Sequence, residues 1–159
     1  MIEQFLGDDV ESSGQYLAEV IYGANDGIVT TFAVVSGVAG AALNPSIVLI
    51  LGAANLFADG FSMGMSNYLS RQSELDYQRS VRKDGRDPPE ELADGKSPIR
   101  TAFVTFLAFV IAGWAPLLPY ILEVRPTFPL SIAFTGFAFF AVGASRSLET
   151  SRRWFVNGA

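Results

Sequence analysis

Two ionisable aspartates interrupt otherwise apolar stretches in the first half of the chain. Asp26 lies in "GANDGIVTTFAVVSGVAG", residues 23–40, and Asp59 lies in "LGAANLFADGFSMGMSNYLS", residues 51–70. A charged side chain inside a membrane helix costs on the order of 2.5–3.5 kcal/mol on insertion scales, so such residues usually face a bundle interior or an aqueous path. We therefore expect these two carboxylates to carry the function.

The residues around Asp59 place more ligand atoms on one face of a helix. At about 100° per residue, amides, hydroxyls and a thioether recur at a spacing of three or four positions on the side of this carboxylate. The set is Asn55, Asp59, Ser62, Met63, Ser66 and Asn67.

The stretch around Asp26 has a matching face of small or polar residues, namely Asp26, Thr30, Ala33, Gly37 and Gly40. Small residues let a second membrane helix come close. The spacings Gly23-x-x-x-Gly27 and Gly60-x-x-x-Gly64 favour the same kind of packing.

Two carboxylates with amide oxygens and a thioether are a donor set for a divalent cation. Oxygen ligands suit Mg²⁺, Ca²⁺ and Mn²⁺, whereas a thioether favours softer ions such as Fe²⁺. A low-dielectric setting disfavours the charged carboxylate, so protons compete with the metal. Exchange of protons and metal at one site is the basis of antiport.

Each of these residues also has a purely structural interpretation. Asp26 could cap a helix near the membrane surface, and Asp59 could pair with a partner inside the bundle. Met63 could pack in the core, and Asn55 and Asn67 could hydrogen-bond between helices. The sequence leaves these alternatives open.

The composition excludes several classes of function. The 159 residues include no cysteine and no histidine, which rules out disulfides, thiolate zinc sites and Cys or His catalysis. No basic, aromatic stripe of the kind that binds nucleic acid is present. We propose no chemistry on a substrate, so we expect a protein that is not an enzyme and needs no cofactor.

Four stretches are long and apolar enough for membrane helices of roughly 17–25 residues. We predict an all-α polytopic membrane protein with helices at about 16–43, 46–70, 99–122 and 128–147. An acidic tail, residues 1–15, precedes the transmembrane domain, residues 16–159. A soluble four-helix bundle is the alternative, but the last two helices lack a polar face.

The linker at 71–98 separates the two helical pairs and differs from them in charge. Seven of the eleven Lys and Arg residues lie between Arg71 and Arg100, and none precedes Arg71. By the positive-inside rule this linker and both termini are cytoplasmic. The segment "RQSELDYQRSVRK" has helical character and should extend the second helix into water.

The two aspartate motifs carry a family resemblance. "NDGIVTTFAVVSGVAGA" followed by "ANLFADGFSMGMSNYLSRQSE" resembles the vacuolar iron transporter family, and the similarity continues more loosely through "PLLPYIL" and "GASRS". The resemblance implies a homodimer in a lipid bilayer that moves Fe²⁺, and often Mn²⁺, out of the cytosol in exchange for protons.

By position, the resemblance assigns the metal path to Asp26, Asp59 and Met63, with Asn55 one turn before Asp59. Thr30, Ser62 and Asn67 are further candidates on helical geometry. The expected membrane is the plasma membrane of a prokaryote, with a vacuolar or other organelle membrane as the alternative. A non-transporting membrane interaction protein and a passive cation channel are the competing functions.

The chain departs from the family pattern in three places. Many members have Glu at the position of Asn67. Members with a cytosolic metal-binding domain carry a long glutamate-rich insert where this chain has only a short linker, so we do not expect Glu90 and Glu91 to be ligands. The family has five membrane helices, and we expect this sequence to stop before the fifth; a protein that works with four helices is the alternative.

Overall fold

The computed structural model describes residues 15–85 and 96–145, which fold into helices joined by short turns. The four long helices are α1 (Leu17–Gly40), α2 (Pro45–Lys83), α3 (Pro98–Gly113) and α5 (Thr127–Ser145). Between α3 and α5 lie a 3-10 turn (Ala115–Leu117) and the short helix α4 (Leu118–Ile121). The all-α prediction is confirmed. The predictions for most of the 1–15 tail, for Glu90 and Glu91 and for the chain beyond residue 145 lie outside the described residues.

Three segments in the described part of the chain are long and apolar enough to cross a membrane: Pro45–Lys83, Pro98–Ile121 and Thr127–Ser145. The chain is therefore a multi-pass membrane protein. Helix α1 has 24 residues, so at 1.5 Å per residue it is about 36 Å long, which is enough to cross the hydrocarbon core. It carries three polar residues, Glu19, Asn25 and Asp26, among its apolar ones.

A tight turn joins α1 to α2 and makes them antiparallel neighbours. Helix α1 ends where Ala42 adopts a left-handed conformation with φ of 53°, and the N–H groups of Ala42 and Leu43 donate to carbonyls of the last helical turn. Asn44 then caps α2 by accepting a 3.0 Å bond from the Ser46 N–H. Pro45, as the first helical residue, needs no N–H partner.

The predicted third helix, at about 99–122, is interrupted. Pro116 and Pro119 lack the amide hydrogen that a continuous α-helix uses, so α3 ends at Gly113 and the chain tightens into the 3-10 turn before α4. The Trp114 carbonyl accepts bonds from both Leu117 N–H (2.9 Å) and Leu118 N–H (3.1 Å).

Helix α3 lies against both α1 and α2. On the α1 side, Gly23 and Gly27 face the α3 backbone: a Cβ on Gly23 would lie 2.6 Å from the Thr105 carbonyl oxygen, and one on Gly27 would overlap the Phe109 carbonyl. On the α2 side, a Cβ on Gly64 would lie 3.0 Å from the Ala102 carbonyl oxygen. Both G-x-x-x-G spacings thus permit close packing against α3.

The buried apolar core joins α1, α2 and the α3–α4 segment. Its members are Val35, Val38, Val48, Leu56, Phe109, Leu117 and Tyr120. Helix α5 packs on the outside of this core, where the Ser131 hydroxyl donates a 2.7 Å bond to the Pro116 carbonyl. The rings of Phe32 and Phe128 stack with centroids 6.4 Å apart.

Helix α2 continues past residue 70 to Lys83, so the predicted helical extension is present. Its 39 residues span about 58 Å, roughly twice the hydrocarbon thickness of a bilayer. The extension is charged and carries ion pairs within the helix, between Arg71 and Glu74 and between Arg79 and Asp76. It therefore lies outside the hydrocarbon region.

Replacing Gly27 by Ala should destabilise the protein. Its Cβ would overlap the Phe109 backbone, which cannot move aside as a flexible side chain can, and such overpacking typically costs about 1–3 kcal/mol. Gly37→Ala, in the same helix, is the matched control, because nothing lies within 4 Å of its Cβ. Thermal unfolding in detergent should show a lower midpoint for Gly27→Ala alone. Equal midpoints for the two variants would contradict the close packing of α1 on α3.

Candidate metal-binding site

Asp26 and Asp59 line one cleft between α1 and α2, with a volume of about 280 Å³. We call it the polar cleft; its lining residues are Tyr22, Asp26, Asp59, Ser62, Met63, Ser66 and Asn67. Five of the seven predicted site residues are therefore brought together. The other two, Thr30 and Asn55, lie beside the cleft rather than in its lining.

The positions of the lining residues place the polar cleft toward one end of the helix pair. On α1, Tyr22 precedes Asp26 by one turn, and on α2 the residues from Ser62 to Asn67 follow Asp59 by one to two turns. Because the two helices are antiparallel, both directions lead to the same end. That end is where the charged extension of α2 begins.

The two carboxylates differ in their exposure. Asp26 is half-buried and Asp59 is exposed in the single chain, and their negative charges interact across the cleft. Of the two expected surroundings, a bundle interior or an aqueous path, Asp59 in the single chain has the second kind, since it borders open space. The capping alternative for Asp26 is wrong, because α1 begins at Leu17 and Asp26 lies well inside it.

A hydrogen bond between Asn55 and Thr30 joins α1 to α2 next to the cleft. The Asn55 amide donates to the Thr30 hydroxyl at 3.4 Å. That hydroxyl donates in turn to the Asp26 backbone carbonyl at 2.9 Å. Asn55 therefore has the interhelical role that the sequence left open as an alternative to metal contact, and Thr30 is its partner.

A second cavity of about 620 Å³ begins on the other side of Asp59 and runs toward the turn between α1 and α2. We call it the apolar groove; it is lined by Val34, Gly37, Val38, Leu43, Leu51, Ala54, Asn55, Ala58 and Asp59. Asp59 lines both cavities and so marks their junction. One side of this carboxylate is polar and the other is apolar.

The remaining cleft residues on α2 are held by neighbouring groups. The Ser66 hydroxyl donates to the Ser62 carbonyl at 2.9 Å. The Asn67 amide donates to the Thr105 hydroxyl of α3 at 2.7 Å. Met63 packs partly against the core while also lining the cleft, so its packing and its contact with the cleft are compatible.

The donors suit a divalent cation. Within residues 15–85 and 96–145, no group of three or more Asp or Glu residues is placed to hold a metal, so the charge at the cleft comes from two carboxylates. One divalent ion would balance that charge. The amide and hydroxyl oxygens are ligands for hard ions such as Mn²⁺, and the thioether of Met63 extends the range to Fe²⁺.

Tyr22 is the cleft residue that the sequence did not single out. Its side chain is 62% exposed and lies one turn before Asp26. In the sequence, its spacing of four from Asp26 indicates that both side chains lie on one face of α1. The spacing does not single out Tyr22 as a site residue, because an aromatic residue near a helix end is also typical of a membrane interface.

The fold and the cleft define a class: a multi-pass helical membrane protein with a carboxylate-bearing site between its first two helices. The model of the VIT family matches residues 17–91 and 84–159. The chain belongs to the VIT family.

Relatives match over different shares of their length. "Vacuolar iron transporter 1" of Arabidopsis thaliana is 27% identical over 193 aligned positions, covering 89% of this chain and 77% of the relative. "Vacuolar iron transporter 1" of Eucalyptus grandis is 25% identical, covering 91% and 78%. "Vacuolar iron transporter" of Plasmodium berghei is 44% identical over 68 residues, and that alignment spans 43% of this chain and only 25% of the relative.

Neutralising Asp59 should weaken divalent-ion binding. We expect Asp59→Asn to raise the dissociation constant for Mn²⁺ on the order of tenfold or more, because the affinity of oxygen sites follows the charge of their ligands. The measurement is the free Mn²⁺ signal in electron paramagnetic resonance of the purified protein. Asp76→Asn, on the exposed extension, is the control and should bind like the wild type. Equal affinities for Asp59→Asn and the wild type would remove Asp59 from the site.

Proposed function

We propose that this protein exports a divalent metal ion, Fe²⁺ or Mn²⁺, from the cytosol in exchange for protons. The observation that carries the proposal is the convergence of two carboxylates with amide, hydroxyl and thioether donors in one cleft of a membrane protein. The relatives' names, which mention iron transport, agree with it. The protein is then a transporter rather than an enzyme, and the metal is its cargo.

The charge distribution supports entry of the ion from the cytosol. Four basic residues, Arg71, Arg79, Arg82 and Lys83, lie on the α2 extension, and Lys96 and Arg100 lie where α3 begins. The positive-inside rule then assigns this end to the cytosol. The polar cleft lies toward the same end, so cytosolic ions reach Asp26 and Asp59 without crossing the apolar groove.

Proton coupling follows from the chemistry of the carboxylates. Two ionised aspartates in a low-dielectric region, with no cation between them, carry a high free-energy cost. Binding of a divalent cation or of protons removes that cost. Protons arriving from the far side would thus displace the metal, and departure of protons to the cytosol would restore the site.

Dimerisation is part of the proposal because one chain leaves polar groups uncovered. Asp59, Ser62 and Ser66 are exposed in the single chain, as are the small residues Ala54 and Ala58 beside them. Facing lipid, this surface would be unfavourable, whereas a second copy could pack closely against its small residues. We propose the plasma membrane of a prokaryote as the location, with both termini in the cytosol.

The deciding experiment is Fe²⁺ and Mn²⁺ flux into proteoliposomes, with and without a pH gradient. We expect flux that depends on the gradient and that Asp59→Asn reduces by an order of magnitude or more, since the substitution removes half of the cleft's charge. The control Asp76→Asn should transport like the wild type.

The other outcomes identify other functions. Flux that is indifferent to pH would indicate a passive cation channel. Absence of flux in a folded wild-type protein would favour a membrane interaction protein. In that case Asp59→Asn should alter assembly or stability and leave metal handling unaffected.

Filling the apolar groove should block transport if the ion leaves along it. Nothing lies within 4 Å of a Cβ on Gly37, so Gly37→Leu can extend into the groove without overpacking the single chain. Gly136→Leu, on α5 and equally open, is the matched control. We expect on the order of a tenfold loss of flux for Gly37→Leu alone, because the added side chain occupies space along the groove that the ion would need.

Size-exclusion chromatography must accompany that measurement, since the groove also borders the proposed dimer surface. Lost flux with an unchanged oligomeric state supports an exit along the groove. Unchanged flux would show that the ion takes another route. Loss of the dimer would assign the groove to the contact between copies.

A further inference from the structure

We infer that Thr105, on α3 and outside the polar cleft, orients the amide of Asn67 so that its carbonyl oxygen faces the transported cation. This inference rests on the proposed function. It assigns a role in cation recognition to a helix that contributes no residue to the cleft lining.

The hydrogen-bond chain defines the orientation. The Thr105 hydroxyl donates its proton to the Thr101 carbonyl at 2.9 Å and accepts from the Asn67 NH₂ group at 2.7 Å. Because the NH₂ group of Asn67 is directed to α3, its carbonyl oxygen is available to the polar cleft that Asn67 lines. A side-chain amide carries these two groups at opposite corners, so directing one of them directs the other.

A flipped amide would be worse in two ways. Its carbonyl oxygen would accept a hydrogen bond from the Thr105 hydroxyl, which has only one O–H group to donate. The bond from Thr105 to the Thr101 carbonyl would then be lost, so the Thr105 hydroxyl would make one hydrogen bond instead of two. Its NH₂ group would then point its positive hydrogens at the cation. The carbonyl oxygen is the end of the amide that coordinates metal ions.

Burial of Thr105 stabilises this orientation of the Asn67 amide. Thr105 is fully buried, with 0% of its surface exposed, so water does not compete for its hydroxyl. Groups behind the ligands commonly fix ligand orientation in this manner, and their loss weakens metal affinity by roughly 10–100-fold. Thr105 is therefore a positioning residue and touches no cation itself.

The same helix provides a matched control. Thr101 lies one turn before Thr105, is 2% exposed, and its hydroxyl has no hydrogen-bond partner. Thr→Val at either position removes a buried hydroxyl and keeps the shape of the side chain. Only at position 105 does the change release an amide that lines the cleft.

The test measures Mn²⁺ affinity of the purified protein, and the KM and maximal rate of Mn²⁺ flux in proteoliposomes. We expect Thr105→Val to raise the dissociation constant and KM roughly tenfold while the maximal rate changes little. Thr101→Val and the hydroxyl-preserving Thr105→Ser should behave like the wild type, and a cooperative thermal unfolding transition checks that each variant is folded.

A second substitution separates orientation from packing. Asn67→Asp presents an oxygen in either orientation, so adding Thr105→Val to it should not weaken Mn²⁺ binding further. The inference is overturned if Thr105→Val binds like Thr101→Val, or if it weakens binding equally in the Asn67→Asp background. A wild-type protein that neither binds nor transports Mn²⁺ overturns the proposed function together with this inference.

Discussion

The close approach of α3 to its two neighbours is the contact on which the rest of the structure depends. On α1, Gly23 and Gly27 bring the backbone within contact of the α3 carbonyls, and on α2, Gly64 does the same. Dispersion attraction acts only over short distances. Helices whose backbones meet without intervening side chains therefore attract each other along the whole length of their contact, which we call the seam. In lipid, where apolar side chains gain little by leaving the solvent, such close packing is one of the forces that hold helices together.

The seam also determines where the polar groups lie. With one face of α1 and one face of α2 committed to α3, the carboxylates of Asp26 and Asp59 are directed to the space between α1 and α2. The bonds from Asn55 to Thr30 and from Asn67 to Thr105 then connect the three helices around that space. Packing and ligand placement are therefore set by the same few helical turns.

Much of this arrangement was predictable from the sequence, because hydropathy and helical periodicity are local properties. The helices, the polar face of α2 and the pairing of Asp26 with Asp59 required only spacing and the cost of charge in lipid. The break after Gly113 was visible in Pro116 and Pro119 but was masked by the uniform hydropathy of that segment. The open position of Asp59, the bond from Asn67 to Thr105 and the place of Tyr22 depend on rotations of one helix against another. Sequence spacing along a single helix does not define those rotations.

For the proposed transport of a cation, the change of surface at Asp59 has an energetic consequence. Toward the charged extension of α2, hydroxyl and amide groups can replace the water molecules of an ion one at a time. In the opposite direction Val34, Leu43 and Leu51 offer no such replacement, and an ion would have to give up its hydration shell in one step. In the proposed transporter this carboxylate therefore lies at the foot of a dehydration barrier, so a bound ion leaves faster toward the polar side than toward the apolar side, even without a moving gate.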